Sequence, residues 1–305
     1  MSGRVVEIAE EARHLSRHRG FLLVSDADGE IGRVPLDDIG AVIVTARAAS
    51  YSNSLVAELA RRNIPLVVCG ANFAPLAWLW PFAAHHMPNL RLRRQLDASK
   101  PLKKKLWQIL IKAKIQQQAA ALDAIGARSG GVLSYAAKVR SGDPANCEAQ
   151  AARRYWDLMF GETFRRERGG DGINALLNYG YAVLRSAVSR AVVASGLHPT
   201  VAIYHSNRSN AFALADDLME PFRPFVDVQV HRLVATGTKE VDKEAKTALA
   251  RTLVLDVETE RGVTPLTTAV LRSAQSLADS FFSGKADLDL PPPQKPLFLV
   301  GGDGS

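Results

Sequence analysis

The chain carries its densest chemistry between His205 and Pro224, in the stretch His205-Ser-Asn-Arg-Ser-Asn-Ala-Phe-Ala-Leu-Ala-Asp216-Asp217-Leu-Met-Glu220-Pro-Phe-Arg-Pro224. An imidazole opens it, a polar Ser/Asn run follows, and three carboxylates close it. Asp216 and Asp217 stand four and three residues before Glu220, so a short helix projects all three from one side. Leu214, Ala215, Leu218 and Phe222 then fill the opposite side, with Met219 at the margin. Three acids on one edge repel one another unless a metal ion or a basic partner sits among them. A histidine on the approaching loop points to a metal.

A second acid breaks a pattern. Asn146-Cys-Glu148-Ala-Gln-Ala-Ala-Arg-Arg-Tyr-Trp-Asp-Leu-Met-Phe160 reads as a helix with Asn146 as its N-cap. Wrapped at helical spacing, Glu148, Ala152, Tyr155 and Met159 form one line, while Gln150, Arg153, Arg154 and Asp157 take the wet side. A carboxylate in an apolar stripe is costly unless it is paired, protonated or bound to metal. Glu148 is therefore a candidate ligand, with pairing to an arginine such as Arg185 as the alternative.

The elements that must position these groups fall into two regions. Residues 4–80 read as mostly strand: Arg4 to Ile8, His14 to His18, Gly20 to Ser25, a turn at Asp26-Ala-Asp-Gly29, Glu30 to Pro35, Ala41 to Thr45, Pro65 to Cys69 and Pro75 to Trp80. One amphipathic helix, Ser52 to Arg62, interrupts them, with Ser50 or Ser52 near its start. From about Lys100 the pattern turns helical. Helices are expected over Leu102 to Ile125, Val132 to Arg140, Glu148 to Phe164, Ile173 to Ser195, Asn210 to Met219, Pro221 to Ala235, Lys239 to Leu253 and Pro265 to Phe282. Thr264 is the expected N-cap of the last. The fold class is thus α+β: an N-terminal, mostly β domain with one helix (1–85), a linker (86–100), a larger all-α catalytic domain (101–287) and a Pro/Gly-rich tail (288–305), extended or loose.

The chain has 305 residues, a net charge of +7 and a pI near 9.5. Its basic residues cluster: Arg91, Arg93 and Arg94; Lys100, Lys103, Lys104 and Lys105; Arg153 and Arg154; Arg165, Arg166 and Arg168. Any one cluster reads equally well as a solvated helix face. Together, flanking a carboxylate-rich site, they point to a polyanion such as nucleic acid. The longest apolar run, Phe73 to Ala84, is too short for a membrane span and is broken by Pro75 and Pro81. The N-terminus lacks a signal layout, and two cysteines give neither a disulfide framework nor a metal knuckle, so a reducing cytoplasm is the expected setting.

Four blocks carry a resemblance over nearly the whole chain: Gly142-Asp-Pro-Ala-Asn-Cys-Glu148-Ala-Gln-Ala-Ala152, Ile173-Asn-Ala-Leu-Leu-Asn178-Tyr-Gly-Tyr181, Gly196-Leu-His-Pro199 and His205 through Pro224. In this order they resemble the CRISPR-associated integrase of spacer acquisition, the Cas one family, with wording most like its type II branch. The resemblance implies a metal-dependent DNA endonuclease and integrase, which inserts short foreign DNA into a repeat array by transesterification for antiviral defence. It places the ligands of a divalent metal, Mg²⁺ or Mn²⁺, on Glu148, His205 and Glu220. Many relatives carry aspartate at the last position, which leaves Glu220 and Asp217 as rivals for direct coordination. Asp217 and Asp216 are then the supporting acids. His205 as a general acid or base stays open. DNA contacts are expected from Arg91, Arg93, Arg94, Arg153, Arg154, Arg165, Arg166, Asn207 and Arg208.

The resemblance also implies partners: spacer-precursor and repeat double-stranded DNA, a homodimer through the β domains, and a small Cas two protein in a heterohexamer. The type II effector nuclease and a ring-shaped DNA-end-binding protein are further expected partners. An exposed strand edge and Leu76-Ala-Trp-Leu-Trp80 offer interfaces, though that segment reads equally well as core. Two other functions fit the same residues. One is a structure-selective nuclease for branched DNA, using water as the nucleophile. The other is a non-catalytic DNA-binding scaffold whose acids are structural.

Overall fold

The computed structural model describes residues 4–70, 75–79, 81, 88–167, 169–205 and 210–293. Two compact units divide the chain, residues 1–86 and 87–305. The architecture is α+β, with β-sheets first and a mostly helical part after them.

The first unit builds two four-stranded sheets. One runs in the order β1 (Arg4–Ile8), β5 (Ile39–Val44), β7 (Leu66–Cys69), β8 (Pro75–Trp78); its first three strands are parallel and β8 is antiparallel. The other runs β4 (Gly29–Pro35), β3 (Phe21–Asp26), β2 (Arg13–His18), β6 (Ala49–Tyr51). Its hairpins are antiparallel, and β6 joins β2 in parallel. The short β6 has no alternating apolar pattern, so the sequence gives no sign of it. Helix α1 (Asn53–Arg61) starts where expected: the Ser52 hydroxyl accepts the Leu55 amide at 3.3 Å. Leu15, Leu22, Val42, Val44, Leu55 and Leu59 form the core of this unit.

The second unit is built on α3 (Lys100–Ala124), a helix of 25 residues capped by Ser99. Around it lie α4 (Gly130–Lys138), α5 (Cys147–Phe160), α6 (Ile173–Ala194), α7 (Ala213–Leu218), α8 (Arg223–Ala235), α9 (Lys243–Arg251) and α10 (Leu266–Ser283). Gly180 of α6 is obligatory for this packing, because a Cβ there would lie 2.4 Å from Val226 Cγ1 of α8. No helix among the described residues is long and apolar enough to cross a membrane.

Several expectations need correction. Residues 86–100, read as a linker, hold helix α2 (Pro88–Leu96), whose four polar or charged residues after Asn89 hide its periodicity. The second unit is not all-α. A two-stranded hairpin, β9 (Asp256–Thr259) and β10 (Gly262–Pro265), stands before α10. Thr264 belongs to β10 and does not cap α10. The helix expected at Lys239 begins at Lys243, because the Asp242 carboxylate takes the Ala245 amide at 2.7 Å and fixes the start there. The beginning of the tail is extended but tied down. Gln117 donates to the carbonyls of Pro291 and Pro292, and Ser273 and Ser280 donate to those of Asp289 and Asp287.

Candidate active site

Glu148 is delivered by the start of α5. Asn146, the expected cap, makes no capping bond, because its backbone lies in the left-handed region (φ 51°) and turns the side chain away. Asp143 performs that task, accepting the amides of Cys147 at 2.9 Å and Glu148 at 3.0 Å. The Gly142–Asn146 loop is itself seated on α3, since the Gly142 amide donates to the Lys104 carbonyl at 2.9 Å. Gly142 adopts φ 76°, and a Cβ there would press on the Lys104 side chain at 3.1 Å.

Glu220 does not share a helix with Asp216 and Asp217. Helix α7 ends at Leu218, and Glu220–Phe222 form a tight 3-10 turn before α8. Pro221 lacks an amide and cannot continue an α-helical ladder, which divides the expected pair of helices here. The three acids accordingly face different partners. Asp216 lies in a two-pronged ion pair with Arg185, at 2.6 and 2.7 Å, and takes the Asn210 amide at 2.8 Å. Asp217 is fully buried. It accepts the amides of Ile203 at 2.7 Å, Tyr204 at 2.8 Å and His205 at 3.4 Å, and bonds His205 Nδ1.

Asp217 therefore orients His205 and ties Nδ1, leaving Nε2 as the ring nitrogen available for a metal or a proton. Its hydrogen bond is the main reason the imidazole is held above the usual histidine value. Trp107 stands edge-on to the imidazole at 5.6 Å, and Tyr204 stacks on Trp107 at 4.3 Å. The imidazole still has 43% of its side chain open to solvent.

Glu148 and Glu220 meet at one cation. Lys114 Nζ of α3 lies 2.7 Å from Glu148 Oε1 and 2.5 Å from Glu220 Oε2. Arg223 Nε lies 3.1 Å from Glu220 Oε1. Burial would raise the Glu220 carboxyl, but Arg223 and Lys114 outweigh it and hold it below the usual carboxylate range. Burial likewise opposes the charge on Lys114, and Glu220 with Glu148 outweighs it in turn, holding the amine above its ordinary value.

Asp227 of α8 anchors the site from behind. It accepts the Tyr155 hydroxyl of α5 at 2.8 Å and the Tyr181 hydroxyl of α6 at 2.5 Å. Burial pushes its carboxyl up to about 6, against the lowering effect of both hydroxyls. The sign follows directly. The folded protein binds this proton more tightly than the unfolded chain, so the contribution to stability is full below about pH 4 and is lost as pH rises through about 6. Between pH 4 and 7 the wild type should lose about 2 kcal/mol of stability relative to Asp227→Asn. Paired urea titrations across that range read the difference; parallel curves would reject it.

The basic residues differ in how far they are committed. Arg91 donates to the Ser195 carbonyl at 3.1 Å, and Arg93 to Asn89 at 2.9 Å. Arg94 stands over the Phe282 ring at 5.3 Å. Arg165 donates to the carbonyls of Glu162 and Phe164 and approaches Asp157 at 3.5 Å. Arg166 bonds Asn174 and Asn178 and covers Tyr181. Arg153 and Arg154 are exposed on α5. Asn207, Arg208 and Arg168 lie outside the described residues.

Lys114, Arg223, Asp143 and Asp227 were not singled out from sequence as parts of this centre. Lys114 carried a usable signal, standing seven residues after Trp107 and three after Ile111, on the seam that buries both. A lysine in that stripe breaks pattern as Glu148 does in its own. No such signal marked Asp143, whose role depends on loop geometry.

Asp217→Ala tests the orienting role. It leaves the buried Ile203 amide and the part-buried Tyr204 and His205 amides without their acceptor and frees the imidazole, at an expected loss of about 2–3 kcal/mol. Denaturant unfolding measures this. A loss under about 1 kcal/mol, the size of one ordinary hydrogen bond, would show that the amides find other partners.

Comparison with known proteins bears on the family and the fold. The family described as CRISPR associated protein Cas1 matches residues 6–264. The chain is 36% identical over 277 residues to a CRISPR-associated endonuclease Cas1 of Neisseria meningitidis serogroup C (strain 8013), covering 90% of this chain and 89% of that protein. It is 32% identical over 238 residues to a CRISPR-associated endonuclease Cas1 of Pyrobaculum aerophilum, covering 72% and 78%. Among solved structures, a casposase bound to integration product superposes with a TM-score of 0.80 at 20% identity, over 99% of this chain and 96% of that one. A Cas6-RT-Cas1–Cas2 complex gives 0.75 at 17% identity, over 96% of this chain and 36% of that one.

Proposed function

Because the chain belongs to the Cas1 family of CRISPR-associated endonucleases, we propose that it joins short DNA fragments to a repeat array by metal-dependent transesterification. In this reading Glu148, Glu220 and Nε2 of His205 hold one Mg²⁺ or Mn²⁺. The observation that carries the reading is the pair of carboxylates from two separate elements converging on a single cation, with an Asp217-aligned imidazole beside them. Oxygen-rich donors with one imidazole suit a hard divalent ion. Among the described residues no three His, Cys, Asp or Glu side chains already stand grouped so as to hold a metal ion. The donors fit in kind, and they require Lys114 to yield its place.

When bound, the metal would spread the charge of the phosphorane-like transition state and lower the pKa of the attacking 3′-hydroxyl. The chain's own residues supply the rest. Asp217 keeps the imidazole in one tautomer and one orientation. Asp143 fixes the start of α5, and with it the reach of Glu148. Arg223 holds Glu220 ionised. The attacking hydroxyl forms one phosphodiester as the repeat strand's 3′-hydroxyl leaves, so bonds broken and bonds made balance without an outside energy source.

Exposed Arg153 and Arg154 on α5, with Lys104 and Lys105 on α3, are the residues best placed to take DNA phosphates. Arg93 and Arg94 have looser ties than Arg91 and Arg166 and belong to the same proposed surface. The homodimer is assigned to the β unit, whose edge strands β4 and β8 expose Ile31 and Leu76. The Cas1–Cas2 complex among the structural relatives supports a small Cas2-family partner.

The test is strand transfer of a labelled short duplex into a repeat-containing supercoiled plasmid. It is run with Mn²⁺, Mg²⁺ or chelator, with and without the small partner. Joined product that disappears with chelator is expected. Nicks without joining would replace the integrase by a nuclease using water, and DNA binding without either product would leave a scaffold.

A further inference from the structure

The two carboxylates that meet at the centre already have two cations against them without a metal. Glu148 and Glu220 contribute two negative charges, and Lys114 and Arg223 two positive ones. Asp216 is matched separately by Arg185. Lys114 is more than a neighbour of the two acids. Its ammonium stands between them, within 2.7 Å of an oxygen from each, and its stem is buried in the α3 seam. Glu220 Oε2 is buried without a well-angled hydrogen bond, although the ammonium touches it.

We infer that Lys114 is an internal counter-cation occupying the position between Glu148 and Glu220, so that divalent-metal binding is an exchange against its ammonium. Lys114 is a positioning residue in this scheme. It keeps two like-charged carboxylates together while no metal is bound, and it weakens metal binding by competing for them. Once displaced, the ammonium is a buried positive charge beside a divalent ion, and it needs an anion. An incoming DNA phosphate supplies one. Metal and DNA therefore bind cooperatively, and by linkage each tightens the other by the same factor.

This inference rests on the proposed metal site, and the experiment separates the two. Mn²⁺ is titrated into the full chain and free Mn²⁺ is followed by its electron-paramagnetic resonance signal, with and without a short duplex. The variants are Lys114→Met, Lys114→Arg and Glu148→Gln. Lys114→Met, which keeps the stem and removes the charge, is expected to bind Mn²⁺ about tenfold more tightly without DNA. Its gain in affinity on adding duplex should be smaller than that of the wild type. Lys114→Arg keeps the charge and should stay near wild type. Thermal unfolding gives the independent readout: Lys114→Met melts lower than wild type in chelator and gains more from Mn²⁺.

Equal or weaker Mn²⁺ affinity in Lys114→Met, with binding lost in Glu148→Gln, would overturn the exchange and leave the metal site standing. Unaltered binding in Glu148→Gln would overturn the metal site itself. A Lys114→Met chain that fails to fold both in chelator and in Mn²⁺ would make Lys114 structural only, and would also overturn the exchange.

Discussion

In chelator, Glu148→Gln is expected to bind repeat DNA within about a factor of two of wild type, and with metal present to lower strand transfer by roughly 10³-fold or more. Glutamine keeps the side-chain length, so the start of α5, fixed by Asp143, stays where it is. What is removed is one anionic donor, the group least able to be replaced by a neutral oxygen at a hard cation. The effect on stability should be small, because the Glu148 side chain is 23% exposed and Lys114 retains Glu220. His205→Ala makes the companion variant. Asp217 keeps three backbone amides when the imidazole is gone, so the loop before α7 should hold. Gel-shift titration and product yield on the same preparations check both variants. A Glu148→Gln protein with wild-type joining would remove this residue from the reaction; parallel loss of binding and joining would make it a DNA contact.

How far the sequence displayed all this depends on whether each signal was local. The α+β class and the long helices were legible because apolar spacing is a local property, repeated over many residues, as in α3 and α6. Strand β6, with three residues and no alternation, exists because β2 offers it an edge, and only the folded sheet shows that. The same contrast divides the site. Glu148 stood out because an acid interrupted an apolar line. The carboxylates at 216, 217 and 220 stood out by their spacing, yet that spacing misplaced them. Pro221 and the end of α7 give each acid its own partner: Arg185, the His205 loop, and Lys114 with Arg223. The Arg185 and Lys114 contacts join segments 31 and 106 residues apart, which no short window of sequence contains, and even the nearer His205 and Arg223 contacts depend on how the chain turns between them. Asp143 capping in place of Asn146 is a finer case. Both residue types are good caps, and only the left-handed backbone at Asn146 decides between them.

Arg223→Met should lower the stability of the protein by about 3–5 kcal/mol, the usual cost of removing one partner from a buried charge network. Arg223, half-buried, lies 3.1 Å from the buried Glu220, and its guanidinium lies 4.8 Å from the centre of the Tyr181 ring. Burial alone would favour a neutral guanidine; Glu220 in particular reverses this and raises Arg223 well above its ordinary value. Methionine preserves much of the volume, so the loss reports charge more than cavity. The pH dependence separates the two. Glu220 is held below the usual carboxylate range in the folded protein, so its contribution is present above the unfolded value and lost as pH falls through the folded one. The deficit of Arg223→Met should therefore be largest near neutral pH and shrink below about pH 4. Adding Glu220→Gln to Arg223→Met should recover part of it, because an uncharged pair leaves no buried charge unmatched. Urea unfolding of the wild type, both single variants and the double variant at two pH values closes the cycle. A deficit unchanged by either pH or the second substitution would mean that Arg223 acts by filling space over Tyr181, and that Lys114 alone keeps Glu220 ionised.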